Sequence, residues 1–138
     1  MGSQQITVQS TISADNKKVW DYYNQPEHIT HWNFASDDWQ CPWAKIDLRV
    51  GGKYSARMEA KDGSFGFEFE ATYDKVIDQK LIGYTMEDGR KATVEFESLG
   101  NNTQVTVKFD AENENSIEMQ QGGWQAILDN FKKYVESR

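Results

Sequence analysis

Residues 115 to 135 read NSIEMQQGGWQAILDNFKKYV, and the rest of the chain is organised around this stretch. Apolar side chains recur along it at intervals of seven, four, three and four residues, at Ile117, Trp124, Leu128, Phe131 and Val135. Because a helix places residues at these spacings on one side, the pattern predicts a long amphipathic helix. At about 1.5 Å per residue the helix would be about 30 Å long, so it needs a broad apolar surface to pack against.

The beginning and the middle of this helix carry two further signals. Asn115 followed three residues later by Glu118 resembles a capping box, which predicts that the helix begins there. Gly122 and Gly123 interrupt its first half, and each glycine costs about 1 kcal/mol relative to alanine in a helix interior. Two explanations stay open: the glycines allow close packing or a mild kink, or the missing side chains leave room for a ligand.

Upstream of the helix, most of the chain has the period-two pattern of antiparallel strands. The stretch from 66 to 76 alternates most cleanly, with rings and small apolar residues on one face and Glu, Thr and Asp on the other. Gly51-Gly52, Asp62-Gly63 and Asp88-Gly89 predict tight turns between the strands. The predicted strands cover residues 6–12, 44–50, 53–60, 66–76, 81–86, 91–98 and 104–111.

Two short helices are predicted after the first strand. One begins near residues 13–15, where Ser and Asp can cap it, and the other covers 26–32 with Pro26 in its first turn. Residues 33–42 are predicted to form a loop. The chain is therefore expected to be an α+β protein, in which a curved antiparallel sheet of about six or seven strands wraps around a long C-terminal helix.

Composition and charge narrow the class of protein. The chain of 138 residues has no repeat or low-complexity tract, which predicts one domain over residues 1–138. Its formal net charge of −7 argues against nucleic acid or an anionic membrane surface as partner. A single cysteine, Cys41, and an N-terminus without an apolar run predict a cytoplasmic protein. Seven Phe, six Tyr and five Trp against four Leu indicate an interior built from rings, which suits a cavity as well as a core.

Several short motifs together resemble the activator of heat-shock protein 90 ATPase homologue family, of the START-like or polyketide-cyclase-like superfamily. The similarity extends from about residue 6 to residue 135, in the order of elements predicted above. The motifs are Val19-Trp20, Pro26-Glu27-His28 with Trp32, Leu48-Arg49-Val50-Gly51-Gly52-Lys53-Tyr54, Met58-Glu59-Ala60-Lys61-Asp62-Gly63, Asp88-Gly89-Arg90 and Gly123-Trp124.

This resemblance implies the helix-grip fold, with a deep cavity between the long helix and the concave face of the sheet. Across the superfamily such cavities hold apolar small molecules, and in some members they carry out cyclisation or similar chemistry. The inward faces of the predicted strands, two tryptophans near one end and the helix face would supply the ligand-binding residues. These are Trp32, Trp43, Tyr54, Met58, Phe67, Phe69, Tyr84, Met86, Trp124 and Ile127, and plain core packing is the alternative role for each.

No catalytic constellation is visible in the sequence. His28 and His31 are three residues apart, but nearby ligands that would complete a metal site are missing, so no metal and no cofactor is predicted. Cys41 lacks an activating base, and no phosphate loop or nucleophile elbow occurs. Catalysis would have to rely on another group, such as a buried tyrosine with a shifted pKa.

Three classes of function stay open. The leading prediction is a binding module for an apolar or aromatic small molecule, based on the resemblance and on the ring-rich inward faces. The alternatives are a protein-interaction module with a chaperone or another protein as partner, and an enzyme of the polyketide-cyclase-like type. A surface that docks to a chaperone would be expected to show one concentrated acidic patch. Here the acidic residues are instead spread along every outward strand face.

Overall fold

A computed structural model describes residues 4–112 and 114–138. One antiparallel sheet of eight strands and three helices make up this described part of the chain. In chain order the elements are β1 (Gln5–Ile12), α1 (Asn16–Asn24), α2 (Pro26–Ile29), β2 (Trp39–Gln40), β3 (Ala44–Ile46), β4 (Lys53–Ala60), β5 (Gly66–Ile77), β6 (Leu81–Met86), β7 (Lys91–Ser98), β8 (Thr103–Asp110) and α3 (Ile117–Glu136).

Strands β4 to β8 form a meander, and the first strand of the chain is added at its β8 edge. Strands β4 to β8 pair with their neighbours in sequence, giving the order β1-β8-β7-β6-β5-β4-β2, while β3 also pairs with β4. β1 lies against β8, with Ile6 opposite Phe109 and Ile12 opposite Thr103. The two ends of the chain are thereby brought together, and α3 packs on β1 and α1. This confirms the predicted α+β class and the helix-grip arrangement.

Helices α1 and α3 begin at residues whose side chains satisfy free backbone N–H groups. Asp15 caps α1 by accepting a hydrogen bond from the backbone of Lys18 at 2.8 Å. For α3 the cap is Ser116, whose hydroxyl accepts from the backbone of Met119 at 3.1 Å. The prediction of Asn115 as the capping residue was therefore wrong by one position, since serine caps as well as asparagine does.

The C-terminal half of α3 supplies the centre of the core. Leu128, Phe131 and Val135 are buried, and the Phe131 ring has no solvent exposure. Phe131 makes edge-on contacts with Trp32, at a centroid distance of 4.8 Å, and with Tyr23, at 5.0 Å. This half of the helix is thus held by interlocked rings from α1 and from the segment after α2.

The predicted elements differ from the structure most between residues 26 and 52. β3 ends at Ile46 instead of at residue 50, because residues 47–52 form a turn in which the Gly52 amide donates to the Arg49 carbonyl at 2.8 Å. Residues 47–52 separate β3 from β4, so the two glycines are not a two-residue hairpin; Gly51 adopts a φ of 85° within this longer turn. The predicted loop contains the two-residue strand β2, which pairs with β4. α2 is also shorter than predicted and ends at Ile29.

The register of β5 changes along its length. A bulge between Tyr73 and Lys75 shifts the pairing with β6, so the clean alternation predicted from sequence does not continue to the end of the strand. Before the bulge, Ala71 and Tyr73 are buried, whereas Phe67 is 42% exposed at the other end. The inward face of β5 therefore runs from the core to the surface.

None of the helices in the ranges described has the length and apolar character needed to cross a lipid bilayer.

Replacing Phe131 with alanine should cost far more stability than replacing Trp124. Phe131 is fully buried among rings, so Phe131→Ala should lower the free energy of unfolding by about 3 to 5 kcal/mol. Trp124 is half-buried, so Trp124→Ala should cost less, about 1 to 3 kcal/mol. Urea denaturation of both variants measures the difference, and a larger loss for Trp124→Ala would contradict the described packing of α3.

Candidate functional site

A cavity of about 370 Å³ lies between the sheet and the N-terminal half of α3. Every layer of the fold contributes to its lining, from α1 through the central strands to the helix itself. The lining residues are Tyr23, Trp32, Asn33, Ala35, Tyr54, Met58, Phe67, Phe69, Tyr84, Met86, Arg90, Val107, Glu112, Asn115, Met119, Gln120, Gly123, Trp124, Ile127 and Leu128.

The register of three neighbouring strands brings the sheet side of the lining together. Met58 on β4 lies opposite Phe67 on β5, and Tyr73 on β5 lies opposite Tyr84 on β6. The rings then contact across the strands, with 5.9 Å between the centroids of Tyr54 and Tyr84. Phe69 meets both tyrosines edge-on, at 5.3 and 6.0 Å. The floor of the cavity is thus a continuous surface of aromatic rings.

Trp124 forms the helix side together with Gly123 and Ile127. Its indole stacks face to face on Phe109 of β8, with centroids 3.9 Å apart and 11° between the planes. One face of the indole is therefore occupied by the protein, and the remaining surface lines the cavity. At Gly123 no side chain narrows the space beside it.

Gln120 binds the backbone of Glu112 and Asn115 at one side of the cavity. Its side-chain oxygen accepts from the Glu112 amide at 2.8 Å, and its amide group donates to the carbonyls of Glu112 at 3.2 Å and Asn115 at 2.8 Å. Gln120 is buried although it is polar. These three bonds satisfy the buried side-chain amide of Gln120 and hold Glu112 and Asn115 close to α3.

The structure brings together nine of the ten residues predicted to bind a ligand. Trp43 lies apart from them: its backbone carbonyl accepts hydrogen bonds from the Arg57 amide and the Cys41 thiol, and Lys45 Nζ lies 5.4 Å from its ring centroid. Trp32 lines the cavity with its ring, while its Nε1 donates to the Tyr22 carbonyl at 3.1 Å. The role of these residues in binding stays a prediction.

Sequence reasoning missed several polar lining residues. Gln120 had a signal, because it lies four residues before Trp124 and therefore on the same face of α3. Asn33 and Arg90 had none, since they lie between regular elements, where no periodicity indicates the direction of a side chain. Tyr23, on α1, also lies at the cavity wall.

The residues first considered for metal or nucleophilic chemistry lie outside this lining. His28 Nδ1 is 2.7 Å from the Tyr134 hydroxyl, and the His31 ring stacks on Tyr134 at 5.5 Å between centroids. Cys41 is buried, which raises the pKa of its thiol, and its sulfur contacts the Asn33 amide and the Trp43 carbonyl. Among residues 4–112 and 114–138, no three His, Cys, Asp or Glu side chains cluster in a way that could hold a metal ion.

A sheet wrapped around a long helix, with a ring-lined cavity between them, defines this chain as a START-like helix-grip protein. The family described as Activator of Hsp90 ATPase homolog 1-like protein matches residues 13–136, and the chain belongs to that family. This confirms the resemblance found in the sequence motifs.

Solved structures of similar proteins extend over almost the whole chain. The solution NMR structure of an AHSA1-like protein from Aeromonas hydrophila is 42% identical, with a TM-score of 0.91 over 97% of this chain and 93% of that one. A protein from Cytophaga hutchinsonii, also solved in solution, is 47% identical, with a TM-score of 0.83 over 96% and 92%. A crystal structure from Chromobacterium violaceum shares the fold at 20% identity, with a TM-score of 0.86 over 96% and 98%. No curated protein matches the chain.

Alanine substitution at Gly122 and at Gly123 distinguishes the two explanations for the helix glycines. A methyl group built at Gly122 or at Gly123 would have no heavy atom of the described residues within 4 Å outside the local helix backbone, which disfavours the close-packing explanation. Gly122→Ala and Gly123→Ala should therefore each raise the free energy of unfolding, by up to about 1 kcal/mol. Gly51→Ala is the matched control and should destabilise, because Gly51 has a positive φ. Thermal melts measure all three, and destabilisation by both helix substitutions would restore the packing explanation.

Proposed function

We propose that this protein binds an apolar or aromatic small molecule in the cavity between the sheet and α3. The observation that carries the proposal is the contrast within α3: in the C-terminal half Phe131 and Val135 are fully buried, while the N-terminal half borders a space of about 370 Å³. Folded interiors are otherwise filled at crystal-like density, so a space of this size lined by rings is the usual form of a small-molecule site.

The chemistry of the lining supports a largely apolar ligand. Most lining side chains are aromatic, aliphatic or methionine, and the last of these adapt easily to ligands of different shape. Contact with such walls contributes about 25 cal/mol per Å² of apolar surface buried, less the cost of association. An affinity in the micromolar range follows for a ligand that fills the cavity.

A protein-binding function is the second candidate, and one surface feature favours it. Trp39, Phe65 and Phe67 form a cluster of rings at the end of the β4–β5 hairpin, with centroid distances of 5.9 to 6.3 Å. Phe65 is 62% exposed, and Phe67 also belongs to the cavity lining. Exposed rings of this kind are typical of surfaces that contact another protein.

Adjacent glycines provide a matched test of the small-molecule proposal. Gly123→Leu places a side chain at the cavity wall, whereas Gly122→Leu adds the same group at an exposed position of α3. Titration of the parent with fatty acids, flavonoids and polycyclic aromatics should give at least one saturable change in tryptophan emission, because Trp124 borders the cavity. Gly123→Leu should weaken that binding about tenfold or more, and Gly122→Leu should leave it within about twofold.

Absence of any saturable signal from the parent would contradict the small-molecule proposal, as would equal loss of binding in both variants. If the parent gives no saturable signal, the exposed ring cluster of Trp39, Phe65 and Phe67 becomes the surface to test. Phe65→Ser would then be the matched substitution, since it changes the cluster without changing the cavity lining.

A further inference from the structure

The buried polar groups of the cavity are all uncharged. Asn33, Tyr23, Tyr54 and Tyr84 are buried and line the space, and each carries a neutral hydrogen-bonding group. Burial raises the pKa of all three tyrosines above their ordinary value, so their hydroxyls stay protonated at physiological pH. These groups can offer hydrogen bonds to a ligand but no countercharge.

The polar groups of these residues make few hydrogen bonds within the described part of the protein. Within the described ranges the three tyrosine hydroxyls make no hydrogen bond to another protein group. The side-chain amide of Asn33 donates only to the Cys41 sulfur, at 3.9 Å, and sulfur is a weak acceptor. Trp32 and Gln120 differ, because their polar atoms are already used by backbone groups. The available groups therefore belong to Asn33 and the tyrosines.

Charge in the lining is confined to two residues and is balanced. Arg90 and Glu112 are the charged members among the lining residues described, one of each sign. The Arg90 guanidinium is also occupied, since Nε donates to Asp88 at 2.7 Å and Nη1 reaches the Asp110 carbonyl at 3.5 Å. An anionic ligand would meet no unpaired cation here, and it would also approach a chain with a formal net charge of −7.

We infer that the cavity takes ligands whose buried end is an uncharged hydrogen-bonding group, such as a carbonyl, amide or hydroxyl, and discriminates against carboxylates. A carboxylate that leaves water without a paired cation loses several kcal/mol of hydration free energy, which neutral hydroxyls repay only in part. A carbonyl or amide loses much less and recovers it through hydrogen bonds to the tyrosines. This inference rests on the proposed small-molecule function and specifies the chemistry of the ligand.

Three probes that share one ring system test the preferred ligand chemistry separately from the proposed small-molecule binding. Naphthalene, 2-naphthamide and 2-naphthoate are titrated into the protein by isothermal titration calorimetry at pH 7.5. Naphthalene and the amide should bind, and the carboxylate should bind about tenfold or more weakly than the amide. Equal or tighter binding of the carboxylate would overturn the inference but leave the proposed function intact. Binding of none of the three would overturn both.

Removal of single hydroxyls identifies the groups that hold the amide. Tyr54→Phe and Tyr84→Phe keep the rings of the cavity floor, so each should reduce amide affinity about threefold to tenfold while leaving naphthalene affinity unchanged. Tyr22→Phe is the control, because Tyr22 lies outside the lining and stacks on His28 instead. Unchanged amide affinity in both cavity variants would overturn the inference, since the hydroxyls would then contribute nothing to selection.

Discussion

The packing of α3 on the concave side of the sheet is the constraint on which the other features depend. The helix is held unequally along its length: Phe131 and Val135 are fully buried, whereas Gly123, Trp124 and Ile127 border the cavity. The buried half positions the helix. In the other half Trp124 stacks on Phe109 of β8, so the helix contacts that side of the sheet while the space over β4 to β6 stays open. The cavity is thus a consequence of where the helix is anchored, and it does not require a separate structural element.

Aromatic residues suit both halves of this arrangement. In the tight half, edge-on contacts such as Phe131 with Trp32 fill space with few side chains and fix their orientation. In the open half, the same residue types form walls that bury apolar surface and carry polar tips. Charged side chains are largely absent from the lining, and the Arg90–Asp88 pair keeps the one cation near it satisfied. The protein can therefore present a hydrophobic interior without an exposed ion at its centre.

Sequence periodicity predicted the elements well because most of them have one buried face. The bounds of β4, β6 and β7 agree with those predicted, and α3 begins two residues later and ends one residue later than the predicted stretch 115–135. Periodicity failed where backbone geometry overrides it: the turn at Gly51 shortens β3, and the bulge after Tyr73 shifts β5. The candidate site was predicted through the same inward faces, so most of its apolar residues on β4, β5, β6 and α3 were found. Asn33 and Arg90 were missed because the directions of their side chains depend on loop conformation. Trp43 was included because the sequence shows an aromatic residue there but not the direction of its side chain.

The pairing of β1 with β8 has a consequence for synthesis of the chain. Ile6 must find Phe109, so the sheet cannot close until about a hundred residues have been made, and α3 is made later still. Until that helix has left the ribosome, the ring-rich face formed by β4, β5 and β6 has nothing to cover it. Uncovered apolar surface of this kind promotes aggregation of nascent chains. α3, which borders the cavity in the folded protein, is thus also the last of the described elements to cover apolar surface of the nascent chain.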